Sequence, residues 1–298
     1  MGKHDALHPI LEQCLFPTAG PLHCAVSGGA DSSALLILAS MTGQQVTAHH
    51  VDHGLRPHGS AERDRVQELA EKVKAGFNAV ALSLEDGPNL EARARSARFE
   101  ALPKEVLTGH TADDQAETII LHLLRGGGLD ALAGMGDDRH PIIRLRRADT
   151  EFVCRSYGWE PIEDPTNNDP RFRRNRVRHE ILPLMNDVAQ RDITPLLNRT
   201  AKLVQTDRDL LDLLAEQVDA TDAASLASAP VPLARRAIRS WLRREHPPDS
   251  ASVDRVLQVA LGKATGTEVA GGRSIRRTNG KLRIETFSKE PSESTESD

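Results

Sequence analysis

The stretch from Leu22 to Ala39 constrains this chain most. A short apolar run, Leu22 to Val26, passes straight into Ser27-Gly28-Gly29. Asp31-Ser32-Ser33 then opens an apolar helical segment that runs to Ala39. A buried-type strand that turns through glycines into a helix is the opening unit of a parallel α/β sheet. The two glycines permit a tight turn and the close approach of an anion. The helix start offers unpaired N–H groups and the positive end of its dipole. Ser27, Ser32 and Ser33 add hydroxyl donors. Asp31 repels a phosphate unless a cation sits between them, so its carboxylate implies Mg²⁺. Read locally, Asp31 or Ser32 is equally an N-cap, and a Gly-Gly turn alone favours that reading. No Gly-Lys-Ser/Thr follows, so the loop is not of the Walker type.

The alternation continues. Leu22–Val26, Val46–Val51, Ala79–Leu84, Val106–Thr108 and Ile142–Leu145 read as strands, and 61–73, 90–102 and 112–124 as amphipathic helices. The expected class is α/β: a doubly wound, mostly parallel five-stranded sheet, with ligands beyond the carboxyl ends of its strands. From Thr200 the pattern changes. A long helix over 203–218 has Leu210, Leu211, Leu213 and Leu214 as its apolar face, two more helices follow, and Asn279-Gly280 joins a small hairpin. The expected organisation is a catalytic domain over 1–189, a smaller, mainly helical domain over 190–287, and a disordered acidic tail over 288–298.

The 298 residues carry a net charge of −5, which by itself does not suggest a polyanion partner. The distribution does, because arginines crowd into 144–147, 171–178 and 235–244. For any one of these clusters taken alone, a solvated helix face is the better reading. Three scattered cysteines, Cys14, Cys24 and Cys154, form no C-x-x-C pair. They fit a reducing, cytoplasmic setting and argue against structural zinc or an iron–sulfur cluster. Neither a signal peptide nor a membrane span is expected, since the apolar runs are too short.

Six motifs follow one another: SGGADS at 27–32, VDHGLR at 51–56, NLEARARSARFEAL at 89–102, TGHTADDQAET at 108–118, LLRGGGLDALAGM at 123–135, and EDPTNNDPRFRRNRVRHEILPLM at 163–185. The first resembles the loop of the PP-loop ATP pyrophosphatases, of the adenine nucleotide alpha hydrolase-like fold. Together they resemble the tRNA(Ile)-lysidine synthetases over nearly all of residues 20–190. That resemblance implies ligation of L-lysine to C2 of the wobble cytidine in tRNA(Ile) with a CAU anticodon. The cytidine is first adenylated by ATP with release of pyrophosphate, and lysine then displaces AMP. It also implies Mg²⁺ and allows a homodimer.

On this resemblance Ser27, Gly28, Gly29, Ala30, Asp31, Ser32 and Ser33 cradle the phosphates, and Asp31 holds the metal. The end of the second strand, with Val51 and His53, receives adenine and ribose. The lysine amine, with an ordinary pKa of about 10.4, arrives protonated and needs carboxylates to bind it and take its proton. Asp114 and Glu117, three apart on one helix, share a face and match the family's lysine pocket. Asp113 points about 100° away, and an acidic first helical turn is the alternative for the pair. His110 contacts phosphate or relays a proton. Arg95, or Arg98 on the same face, neutralises the nucleotide. Arg174 and Arg176 match the family's basic segment and suit phosphate contacts. Gly126 to Gly128 form either a loop beside the site or a helix C-cap. A cytidine or uridine thiolase of the same superfamily is the nearest rival, and a non-catalytic ATP sensor the more distant one.

Overall fold

The computed structural model describes residues 5–52, 59–82, 101–163, 166, 169–243 and 248–286. Contacts divide the chain into two compact units, Met1–Val204 and Gln205–Asp298.

In the first unit, strands β1 (Leu22–Ala25), β2 (Val46–Asp52) and β3 (Gly76–Ala81) form a parallel sheet in the order β1-β2-β3. Leu22 pairs with Val46, and Thr47 with Gly76. Helix α1 (Ala30–Ser40) is buried without a break from Ser33 to Ala39. A helix that is apolar all round belongs in the middle of a core. Against it pack α2 (Gly59–Lys72) and α4 (Arg147–Tyr157), while α3 (Ala112–Leu123) puts Ala116 and Ile120 into a separate cluster. Leu35, Leu38, Val66, Leu69, Leu145, Val153 and Trp159 belong to one cluster.

Among the described residues fewer strands form than the sequence leads one to expect. The run at Val106–Thr108 is reduced to one parallel bridge, Cys24 to Leu107, on the free side of β1. Its bonds are Ala25 N to Leu107 O at 2.8 Å and Leu107 N to His23 O at 2.7 Å. Ile142–Leu145 is not a strand. Ile143 N donates to His140 O and Leu145 N to Ile142 O, both at 3.0 Å, so the segment coils into successive turns. Ile142 and Leu145 are nonetheless fully buried. A short apolar run reports burial, and burial does not require a ladder. The expected helix over 90–102 falls almost wholly outside the described residues.

A helical run follows in three parts: an α-turn at Arg173–Arg176, a π-turn at Val177–Ile181, and α5 (Leu182–Ala189). Helix α6 (Thr194–Ala215) comes next. Its packed side carries Ala201, Gln205 and Ala215, with Leu211 half-buried. Leu210, Leu213 and Leu214 are exposed, so the expected leucine face does not form. On an ideal helix Leu210 and Leu213 lie about 100° and about 160° from Leu211.

The second unit packs α7 (Ala223–Ser228), α8 (Val231–Leu242) and α9 (Ser250–Ala260) with a three-stranded antiparallel sheet. Its strands are β4 (Gly266–Val269), β5 (Arg273–Thr278) and β6 (Lys281–Thr286). The hairpin turns at Asn279, φ 50°, and Gly280, φ 76°, as a two-residue turn of positive φ requires. Strand β4 was not foreseen, because Val269 is its one buried residue and no alternation betrays it.

Candidate active site

Between β1 and α1 the chain folds into a tied loop. Gly28 has φ +95°, and a Cβ there would stand 2.5 Å from Ile162 Cδ1. Ile162 N donates to Gly28 O at 2.9 Å, and Ser33 Oγ donates to the same oxygen at 3.2 Å. Ser32 Oγ donates to Gly29 O at 3.1 Å and accepts from Ser27 N at 3.2 Å. Gly29 is the N-cap of α1 and supplies no side-chain bond, so neither Asp31 nor Ser32 acts as the cap. No side chain at Gly29 therefore caps the helix start, where N–H groups can meet an anion. Val51 is half-buried near the end of β2, and the buried His50 meets Val26 O through Nδ1 at 2.9 Å. His53 and Arg95 lie outside the described residues.

Gly109 brings the next segment over this loop. A Cβ there would stand 2.8 Å from the Asp31 carbonyl and 2.9 Å from Ser32 N. Only glycine lets Thr108-Gly109-His110 cross the first turn of α1 so closely. The sequence contains the signal, a glycine directly before His110, but its partner is 78 residues back and leaves no local trace.

Helix α3 then splits its acidic pair. Thr111 caps it in a reciprocal box, with Asp114 Oδ2 accepting Thr111 N at 2.9 Å and Thr111 Oγ1 at 3.0 Å. Asp114 Oδ1 is left to face Arg174 Nη2 at 2.9 Å and Arg147 Nη2 at 3.3 Å. The capping reading of Asp114 thus uses one oxygen and leaves the other to the arginines. Asp113 faces elsewhere: it accepts from Arg147 N at 2.8 Å and pairs with Arg146, which also reaches Asp192.

Glu117 is completely buried and ringed by guanidiniums. Arg178 Nε donates to its Oε1 at 2.6 Å, Arg174 Nε to its Oε2 at 2.7 Å, and Arg147 Nη2 lies 3.7 Å away. Arg147 Nε also stands 3.7 Å from Asp31 Oδ2, while Thr150 Oγ1 donates to Asp31 Oδ1 at 2.5 Å. Asp114 and Glu117 thus share arginines 147, 174 and 178, and Arg147 links them to Asp31. Burial pushes the Asp31 carboxyl up and Asp114 adds to this, against the pull of Thr150, Arg147 and Arg178. Burial also pushes on Asp114, but Arg174, the Thr111 amide and Arg147 outweigh it and hold that carboxyl below its ordinary value. Burial works against the Arg178 charge, yet Glu117 overrides it and raises the guanidinium.

Arg147 and Arg178 were not singled out from the sequence. Arg178 had a legible signal, because it stands four residues after Arg174 in a helical run and so shares its face. Arg147 had none. The π-turn widens the helix where Arg178 sits, a local irregularity common at functional sites. Asn175 anchors the preceding segment by donating to Thr166 O at 2.8 Å and Asp169 O at 2.9 Å. Arg176 is exposed and pairs with Glu180 at 2.7 Å, away from the cluster.

His110 joins the same edge. Thr108 Oγ1 lies 2.7 Å from His110 Nδ1 and 2.6 Å from His140 Nδ1, and the two rings meet edge to face. Burial first, then His110 and Arg139, bring the His140 pKa down to about 4. The glycine run closes α3. Gly127 N donates to His122 O at 2.9 Å and Gly126 N to Leu123 O at 3.0 Å, with Gly126 at φ 73°. That is the Schellman pattern, so the C-cap reading holds there. Burial pushes the Cys14, Cys24 and Cys154 thiols up to about 12. Among the described residues no three His, Cys, Asp or Glu side chains group as a metal site, and no helix is long and apolar enough to cross a membrane.

Comparison with known proteins agrees with this geometry. Residues 6–185 match the PP-loop domain, and residues 222–283 match the TilS substrate binding domain. The tRNA(Ile)-lysidine synthase of Nocardia farcinica is 38% identical over 279 residues, 87% of this chain and 86% of that protein. That of Rhodococcus opacus is 34% identical over 293 residues, 89% and 90% of the two chains. That of Thermobifida fusca is 40% identical over 258 residues, 76% of each. Among solved structures, the U34-tRNA thiolase NcsA from Methanococcus maripaludis superposes with a TM-score of 0.56 at 13% identity. It covers 68% of this chain and 80% of that one, a likeness of fold alone.

Proposed function

The chain belongs to the tRNA(Ile)-lysidine synthase family, and from that premise we propose a division of labour among its residues. It is an ATP-dependent ligase that joins L-lysine to C2 of the wobble cytidine of tRNA(Ile), through an adenylated cytidine, releasing pyrophosphate and AMP. The observation that carries the assignment is the shared guanidinium set. Arg147 lies within 3.7 Å of Asp31, Asp114 and Glu117 alike, so the phosphate end and the amine end of the reaction meet at one side chain.

Ser27 to Ser33 and the start of α1 hold the phosphates, through N–H groups and hydroxyls aimed where charge grows. Asp31 suits a magnesium ion. It is a carboxylate at the phosphate loop whose one ion-pair partner among the described residues, Arg147, stands as far as 3.7 Å away, and magnesium needs only one or two protein carboxylates when phosphates and waters complete its shell. When bound, that ion neutralises phosphate charge. Val51 and His53 border adenine and ribose at the end of β2, and Arg95 neutralises the nucleotide, as the family resemblance implies. Asp114 and Glu117 receive the lysine ammonium. His110, coupled through Thr108 to His140, stands at the same edge to take a proton from the amine. Arg176 and the second domain, over 190–287, contact the tRNA, and the enzyme works in the cytoplasm.

A thiolase is disfavoured by the cysteines. All three thiols are held protonated, and only a thiolate is a competent sulfur nucleophile. The test is direct. The protein is incubated with tRNA(Ile) carrying a CAU anticodon, ATP, Mg²⁺ and labelled lysine, and the digested RNA is examined by mass. Lysyl-cytidine is expected. Correctly folded tRNA that takes up no lysine overturns the reading.

A further inference from the structure

The carboxylates assigned to the lysine amine already hold cations. Arg174 bridges both, with Nη2 on Asp114 Oδ1 at 2.9 Å and Nε on Glu117 Oε2 at 2.7 Å. It therefore occupies the place between the two acids where an incoming ammonium must sit. Three guanidiniums face three carboxylates, so the described cluster is balanced, and an added ammonium would leave one positive charge in excess. Glu117, with 0% of its side chain exposed, also cannot be left without a cation.

One exchange meets both constraints. The ammonium replaces one guanidinium, and that guanidinium moves to a new anion. Arg174 is the member able to leave. Its side chain is 37% exposed, against 27% for Arg147 and 22% for Arg178. It stands in the first turn of its helical run. Arg178 instead forks onto Glu117, with Nε on Oε1 at 2.6 Å and Nη2 on Oε2 at 3.2 Å, and stands 3.8 Å from Asp114 Oδ1. The new anion is close by: Arg174 and Arg147 share Asp114 Oδ1, and Arg147 reaches Asp31 at the start of α1. A nucleotide triphosphate seated there competes for guanidinium with more charge and more acceptor oxygens than one carboxylate has.

We propose that Arg174 is an exchangeable counter-ion: it moves from Asp114 and Glu117 to the nucleotide phosphates, which opens the two carboxylates to lysine and makes lysine binding conditional on nucleotide. Arg178 stays as the fixed partner of Glu117 and positions it. This rests on the reading of Asp114 and Glu117 as the amine pocket. Because coupling is reciprocal, lysine tightens nucleotide by the same factor.

The test is calorimetric titration of the full chain with L-lysine, alone and with saturating α,β-methylene ATP and Mg²⁺. Lysine affinity is expected to rise on the order of tenfold or more with nucleotide. In Arg174→Ala the ratio collapses towards one, while Arg178→Ala keeps the ratio and changes the affinity itself. Arg174→Lys serves if the alanine variant fails to fold, since an ammonium keeps the charge but lacks the planar fork of N–H donors with which a guanidinium engages carboxylate or phosphate. Equal wild-type affinities with and without nucleotide overturn the exchange, as does a full ratio in both Arg174 variants. Glu117→Gln separates the two claims. If it binds lysine normally with nucleotide present, the pocket reading itself fails.

Discussion

Glu117 and Ile238 are both fully buried, one in each unit, and their surroundings differ in kind. Ile238 sits in a cluster with Leu226, Leu242, Val256 and Ile275, the ordinary way to gain stability from apolar area. Glu117 sits among Arg174, Arg178 and Arg147, where the cost of desolvating charge offsets much of the Coulomb attraction. Ion pairs of the second unit such as Arg235 with Asp254 and Arg276 with Glu285 lie at the surface. Exposed pairs of this kind contribute little. A buried charge cluster is thus weak evidence of stabilisation. Its presence at the carboxyl edge of the sheet is better explained by a charged substrate that must be received there.

Breaking each side in turn sharpens the comparison. Glu117→Ala has the largest expected effect, because it strands buried guanidiniums. Unfolding by urea should show a loss of about 3–5 kcal/mol, and lysine incorporation should fall on the order of a hundredfold. A loss no greater than at a surface pair would mean that the arginines re-solvate freely and the contrast is false. Ile238→Ala should cost about 2–5 kcal/mol from lost burial and the cavity left behind. The same melt measures it, and lysine binding by the surviving folded protein should be unchanged. If lysine binding falls specifically, the second unit's core is not merely structural.

A third, smaller effect belongs to the polar interior of the first unit. His140 is held neutral, with its pKa depressed from 6.5 to about 4. The unfolded chain takes up that proton first. The stability it contributes is therefore full above pH 6.5 and is lost as pH falls towards 4. The urea midpoint of the wild type should drop more across that window than that of His140→Gln. Equal slopes would remove His140 as the cause. The smallest effect is expected for Asp254→Asn, which releases the exposed Arg235. A change of at most about 1 kcal/mol, shrinking further in high salt, is anticipated.

The phosphate loop was legible because everything it needs is local: a strand, two glycines and a helix start within 20 residues of one another. Asp114 and Glu117 were legible as neighbours for the same reason, since helical spacing alone puts them on one face. So was the Asn279-Gly280 hairpin. The turns at Ile142–Leu145 were not, because an apolar run states that a segment is buried and not how its amides are satisfied. Strand β4 was not, because its burial barely alternates. Arg147 and Gly109 were not, because what defines each of them is a contact made far along the chain.

By itself, then, the sequence determined which chemical groups are available and which short-range geometries present them. Those are a glycine turn into a helix start, two carboxylates on one helix face, and clustered arginines. Only the tertiary structure decided how they pair. It sent Asp113 to Arg146 and Asp114 to Arg174, left Arg176 on the surface beside Glu180, and closed three guanidiniums around Glu117. The reason is physical. Backbone preferences act over a few residues and can be read in sequence order. Charge pairing depends on distance through space and on the water removed around each group, and both exist only once the chain has folded.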